Sequence, residues 1–132
     1  MDLSSLKPTT DVIEVILKHP GNGDTLVKPD GTEQSITVYA PHSKEYKKVL
    51  YAQQNERLKK SQAGNKIDID AEEIADIRIK LLAEVTKSWD ILVDGKCPKL
   101  TPAKARSIYE EIFWIPGQIE EEIDGYLGFM MG

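Results

Sequence analysis

Histidine and cysteine, the side chains that most often carry metal or nucleophilic chemistry, are nearly missing from this chain. Its 132 residues hold one cysteine, Cys97, and two histidines, His19 and His42. A disulfide within the chain is excluded, and a reducing compartment is the expected setting. Neither histidine stands at a ligand spacing from Cys97 or from a carboxylate pair. Long apolar runs are missing too: stretches such as residues 15–17 are far too short to span a membrane. The first eleven residues, MDLSSLKPTTD, contain no apolar segment of signal-peptide length. These absences predict a soluble cytoplasmic protein that uses no metal and no cofactor.

What is present fits one ordinary globular domain over residues 1–132. Apolar residues make up 40% of the chain and charged residues 30%, which separates it from disordered sequences. The length suits one core and not two. Residues 1–11 read as a loose arm. β-branched runs follow at 12–17, 25–27 and 35–39, separated by Pro20-Gly21-Asn22-Gly23-Asp24 and Pro29-Asp30-Gly31, both turn-forming clusters. They predict a small antiparallel sheet of two or three strands over 12–40, with Ile36 and Val38 on one face and Thr37 and Tyr39 on the other.

After Pro41 the period changes, and 42–132 reads as helical. Ser43 is placed to cap a helix reaching about residue 61, with Tyr46, Val49 and Leu50 on its apolar side and Gln53, Gln54 and Arg57 continuing that side as polar. Ala63-Gly64-Asn65 is expected to end it. A second helix is expected over about 71–93, capped by Asp70, with Ile74, Ile77, Leu81, Val85, Trp89 and Leu92 at helical spacing and Leu82 widening the stripe. Asp94-Gly95 turns the chain. Thr101-Pro102 opens a shorter helix with Ala105, Ile108, Tyr109 and Ile112 on one face. A break at FWIPGQ precedes a last helix from Pro116 carrying Ile119, Ile123, Tyr126 or Leu127, and Met130. The predicted class is α+β, mostly helical: a small N-terminal antiparallel sheet followed by about four helices.

Motifs of catalysis fail on inspection. Asp68, Asp70 and Glu72 mimic the start of a calcium loop, but its glycine position holds Glu73 and its twelfth position Ile79. Glu72, Glu73 and Asp76 instead suit the positive end of a helix dipole. Gly21-Asn22-Gly23 lacks the third glycine of a dinucleotide loop and the Gly-Lys-Ser/Thr of a phosphate loop. Cys97 has no histidine paired with it in sequence. The chain therefore reads as a non-enzyme.

Charge is the informative feature. Net charge is −5, yet residues 44–60 carry six bases and two acids, while 68–94 carry eight acids and three bases, and 110–124 six acids and no base. Lys44, Lys47, Lys48, Arg57, Lys59 and Lys60, interleaved with Tyr51 and Gln54, mark a candidate binding helix. A small nucleic-acid-binding regulator using helix 44–60 is one reading. The acidic neighbours lower the local potential, which favours a protein partner instead. Segregated charge also predicts head-to-tail association of copies into a homo-oligomer. The tail GYLGFMMG adds Phe129, Met130 and Met131, adaptable apolar side chains suited to contact or to folding back on the core.

The order of these segments carries a resemblance. The strand-to-helix junction Val38-Tyr39-Ala40-Pro41 with Ser43-Lys44-Glu45-Tyr46, the amides and bases after it, the Trp89 region running into Asp94-Gly95, and the segment from Thr101 through Tyr109-Glu110 to Trp114-Ile115 resemble the tail assembly chaperones of long-tailed (lambda-like, siphovirus) bacteriophages. The likeness spans residues 12–129. It implies a non-enzymatic protein of the host-cell cytoplasm, absent from the mature virion. Its partners would be the tape measure protein, the tail tube protein and a frameshift-extended form of itself, with this chain as the short form.

Overall fold

The β-branched runs at 12–17 and 35–39 pair with each other. In the computed structural model, which describes residues 2–3, 10–62 and 71–131 without the side chains of 61 and 128–131, β1 (Val12–Ile16) lies antiparallel to β2 (Ser35–Tyr39). Val12 stands opposite Tyr39 and Ile16 opposite Ser35. Alternation sends Ile13, Val15, Ile36 and Val38 inward, all buried, and Glu14, Thr37 and Tyr39 to the other face. The run 25–27 does not become a third strand of this sheet. Thr25 and Val27 make only isolated bridges, to Lys18 and Glu33, and Leu26 is held between Leu17 and Gln34 by backbone hydrogen bonds of 2.9 and 2.8 Å. Pro29 and the Asp30-Gly31 turn leave no length for a ladder.

The third strand comes from a segment expected to be helical. Helix α1 (Lys44–Gln62) and helix α2 (Ala71–Glu84) follow β2, and α2 stops at Glu84 instead of running to 93. The chain then forms β3 (Thr86–Asp90), which pairs antiparallel with the free side of β2. Two local facts explain the switch. Thr86 donates its hydroxyl to the Leu82 carbonyl at 2.8 Å, closing the helix end, and the Tyr39 N–H takes the Val85 carbonyl at 2.9 Å. The strand's period is hidden in the sequence because the β2–β3 register shifts between Thr37 and Val38. Ile36 faces Trp89 and Val38 faces Thr86, an odd spacing that no two-residue alternation contains. The expected stripe changes accordingly: Ile74 is 55% exposed, Ile77 and Leu81 are half-buried, and Trp89 packs from a strand.

Past β3 the turn and the third helix follow expectation. Asp94 and Gly95 both take positive φ, 54° and 79°, and Val93 and Lys96 exchange backbone hydrogen bonds across them. This is the two-residue reverse turn that Asp-Gly favours. Helix α3 (Pro102–Glu111) begins at Thr101, whose hydroxyl accepts from the Lys104 N–H at 3.1 Å, with Pro102 in the first turn. After a break of only two residues, Ile112 and Phe113, helix α4 (Trp114–Met131) completes the fold. It starts two residues before the expected Pro116, because proline is tolerated in a helix's first turn, and so takes up most of FWIPGQ. Ala105, Ile108 and Tyr109 of α3 pack on Leu82 and Ala83 of α2, and Ile115, Ile119 and Ile123 of α4 turn toward β1. Tyr126, not Leu127, continues that side as a half-buried residue. The architecture is α+β and mostly helical, with a three-stranded antiparallel sheet and four α-helices among the described residues. Met130 and the segment 63–70, with the Ala63-Gly64-Asn65 stop and the Asp70 cap, lie outside the residues or side chains described.

Leu82, 2% exposed, replaces the half-buried Leu81 as the central leucine of α2. Leu82→Ala is expected to cost ~2–5 kcal/mol and Leu81→Ala less, read from denaturant midpoints. Tyr109 gives a second check. Its ring is fully buried, and its hydroxyl lies 2.7 Å from Thr86 Oγ1, whose own proton goes to Leu82, so Tyr109 is the donor. Burial pushes its phenol up to about 12. The unfolded phenol ionises near ~10, so the folded state holds the proton longer. Stability from this group is complete below that pH and is lost as pH rises through the folded value, by at most ~1.4 kcal/mol per unit. Tyr109→Phe should lose about 1 kcal/mol at neutral pH and show a smaller fall in urea midpoint than wild type above pH ~10.

Candidate functional site

Helix α1 owes its position to one serine. Ser43 is buried; its hydroxyl donates to the Ala40 carbonyl at 2.6 Å and accepts from the Tyr46 N–H at 3.2 Å. The helix therefore starts where Pro41 ends the strand. Only its first turns dock. Tyr46 and Val49 pack on the core, and partial burial, with Glu120 nearby, raises the Tyr46 phenol above its usual range. Beyond them, Gln53 presents a buried Nε2 without a partner among the described residues, and Glu56 approaches Lys80 of α2 at 3.9 Å. No apolar face holds the distal half.

Lys44, Lys47, Lys48, Tyr51, Gln54, Arg57, Lys59 and Lys60 are all exposed. At 3.6 residues per turn, Lys44, Lys47, Lys48, Tyr51, Asn55, Leu58 and Lys59 share one side of the helix, opposite Tyr46, Val49 and Gln53. Gln54 borders that side. Arg57 and Lys60 fall on the opposite one, continuing the docked face. The bases are unevenly spread around the helix: four of the six line the outward side, on which Tyr51 and Leu58 are 55% and 58% exposed. None of the six bases forms an ion pair with a described residue, whereas Lys28, Arg78, Lys80 and Arg106 each do. These six cations, unmatched among the described residues of an acidic protein, are available to something else.

The remaining candidates lie at the end of α4. Phe129 and Met131 extend the backbone of α4 with Met130, but their side chains lie outside those described. His19 caps its own turn, with Nδ1 accepting from the Gly21 and Asn22 N–H groups at 3.0 and 3.2 Å. His42 stacks on Tyr126 and reaches the Thr10 carbonyl at 3.0 Å and Asp11 at 3.3 Å. Cys97 is exposed and distant in role from both. Among the described residues no group of three or more histidine, cysteine or acidic side chains is placed to hold a metal, and no helix is long and apolar enough to cross a membrane. Asp68 and Asp70 of the calcium-like stretch lie outside the described residues.

Sequence reasoning missed a cavity of about 670 Å³ between the end of β1 and the start of α4, where Ile16, Lys18, Trp114, Gln118 and Glu121 meet. No spacing signals it, because it depends on how α4 is laid beside the strand. The exposed Phe113, at the break before α4, was likewise hidden within an apolar-looking FWI. Comparison of the chain with protein-family models, with curated proteins and with solved structures found no match.

The outward side of α1 should be silent in folding. Alanine at Lys47, Lys48, Tyr51 and Lys59 is expected to change stability by no more than ~0.5 kcal/mol each. Val49→Ala, on the docked face, should cost more. Equal losses on both sides, measured by urea denaturation, would place the outward side in the fold rather than at a surface free for binding.

Proposed function

We propose that the protein is a non-enzymatic assembly chaperone that offers the outward side of α1 to a helical protein client. One observation carries the reading: a 19-residue helix docked by its first turns only, with its six bases unpaired among the described residues and four of them set around exposed Tyr51 and Leu58. An aromatic and a leucine inside a ring of cations suit an amphipathic helix with an acidic flank. The resemblance to phage tail assembly chaperones supplies the particular client, the tape measure protein, with the tail tube protein as the subunit delivered to it. On that reading the protein acts in the host-cell cytoplasm, is absent from the finished virion, and associates with its own copies through α1 and the exposed acids of α4, Glu121, Glu122 and Asp124.

A rival draws on the same lysines. Tyr51 and Asn55 stand beside Lys48 and Lys59, as stacking and base-reading residues would in a nucleic-acid helix. Leu58, exposed on the same side between Tyr51 and Lys59, favours protein. Co-expression with the long helical product of a neighbouring tape measure gene separates the two. Wild type should keep that product soluble and co-purify with it. The triple reversal of Lys47, Lys48 and Lys59 to glutamate should abolish this while leaving the melting temperature unchanged. A wild-type protein that fails to hold the client but binds a short duplex, with affinity falling steeply in salt, would transfer the surface to nucleic acid.

A further inference from the structure

The strand order leaves β1 at one edge of the sheet. The Leu17 N–H donates to Gln34 and the Ala40 N–H to Asp11, so the odd-numbered residues of this segment turn their peptide groups to β2. The groups of Val12, Glu14, Ile16 and Lys18 turn away from it. Two of these positions are occupied from within the chain. The Gln118 side-chain amide accepts from the Lys18 N–H at 3.0 Å and donates to the Lys18 carbonyl at 2.7 Å, as the peptide of a neighbouring strand would. The Val12 N–H meets Thr10 Oγ1 at 3.3 Å. Between them, the N–H and C=O groups of Glu14 and Ile16 have no partner among the described residues.

Proteins usually blunt such an edge. The other edge, β3, has a register shift and exposed Lys87 and Asp90. β1 has neither proline nor bulge, and the cavity lined by Ile16, Trp114, Gln118 and Glu121 opens beside it. A strand edge flanked by a helix is a geometry in which an added strand gains main-chain hydrogen bonds and side-chain pockets together.

We propose that an extended segment of a partner protein pairs with β1 at Glu14 and Ile16 as a fourth strand, carrying a basic residue opposite Glu14 and apolar residues opposite Val12 and Ile16. Cross-strand chemistry selects that pattern: Val12 and Ile16 are half-buried around the exposed carboxylate of Glu14. Glu121 and Glu122 on the helix side of the groove reinforce the preference for a cation. A second copy of this chain fits poorly. Antiparallel pairing of two β1 edges centred on Glu14 sets the two carboxylates directly opposite, and a shift by two residues leaves them diagonal neighbours. Both registers also drive the incoming chain into the Gln118 amide. A separate segment can leave the edge at that point.

The test uses a dye-labelled, end-capped peptide Thr-Val-Thr-Lys-Thr-Val-Thr and its counterpart with glutamate in place of lysine. Hydrogen exchange on the free protein should find the Glu14 and Ile16 amides fast and those of Ile13 and Val15 slow. The lysine peptide should slow Glu14 and Ile16 about tenfold or more. Glu14→Lys, at an exposed site that leaves the fold intact, should weaken the lysine peptide and strengthen the glutamate peptide, each about three- to tenfold by anisotropy. The proposal is overturned if the lysine peptide fails to bind at millimolar concentration, or if protection appears on α1 instead. Indifference to the charge swap overturns it as well. So does slow exchange at Glu14 and Ile16 in the peptide-free protein, whether at all concentrations or rising with a doubling of mass.

Discussion

Two rows of peptide groups on β2 dictate the rest of the fold. Ile36 and Val38 have no solvent exposure, so the backbone between them must find hydrogen-bond partners on both sides. The hairpin with β1 supplies one side. The other cannot be supplied by 25–27, which is too short and is pinned between Leu17 and Gln34. The chain must return after two helices to fill it, and Thr86–Asp90 does so. That return fixes where α2 ends and brings Leu82 and Ala83 over the sheet beside α3. It also sets Thr86 within reach of the Tyr109 hydroxyl. The polar relay from Tyr109 through Thr86 to the end of α2 follows from pairing a strand.

Elements governed by local chemistry were legible in the sequence. Ser43 after Pro41, Thr101 before Pro102, and Asp94-Gly95 each specify a backbone conformation within four residues, and each appears where expected. Elements governed by pairing at a distance were not. Val85 and Trp89 continue the spacing of Ile77 and Leu81 as a helix would, and a bulge erases the alternation that would have marked a strand. The demand of β2 for a second neighbour overrode helical periodicity that was real through Glu84. The exposure of every base on α1 could be read from composition. The gathering of Lys44, Lys47, Lys48 and Lys59 around Tyr51 could have been counted from the helical period. The groove at β1 could not, since it exists only because Gln118 meets Lys18 across 100 residues of chain.

The weak docking of α1 has an electrostatic side. Its acids are Glu45 and Glu56, and the latter points to Lys80 rather than along its own helix. The acids of α4 are partly engaged too, with Glu120 paired to Arg78. Exposed pairs of this sort contribute little to stability, roughly 0–1 kcal/mol each. Their arrangement matters more for what remains unmatched. Lys28, Arg78 and Lys80 are met by acids of other segments, whereas no base of α1 is paired among the described residues. The long-range field of the molecule is therefore divided, with a positive helix standing out from a negative body. Such a division steers encounters over about 8 Å at physiological ionic strength and weakens with added salt.

α1 and the β1 edge are incomplete in different ways, and the difference bears on how each could be used. A charged helix surface is satisfied by water when nothing is bound, so contact there is readily reversible and tolerant of sequence. An open strand edge is also solvated, but its donors and acceptors recur at a fixed spacing and accept only an extended chain in register. Gln118 marks the end of that register by acting as the next strand's peptide at Lys18. A protein that must hold a long client without trapping it would need the first kind of surface to be broad. The second kind would have to be short, and the four peptide groups of Glu14 and Ile16, unpartnered among the described residues, are about as short as strand pairing can be.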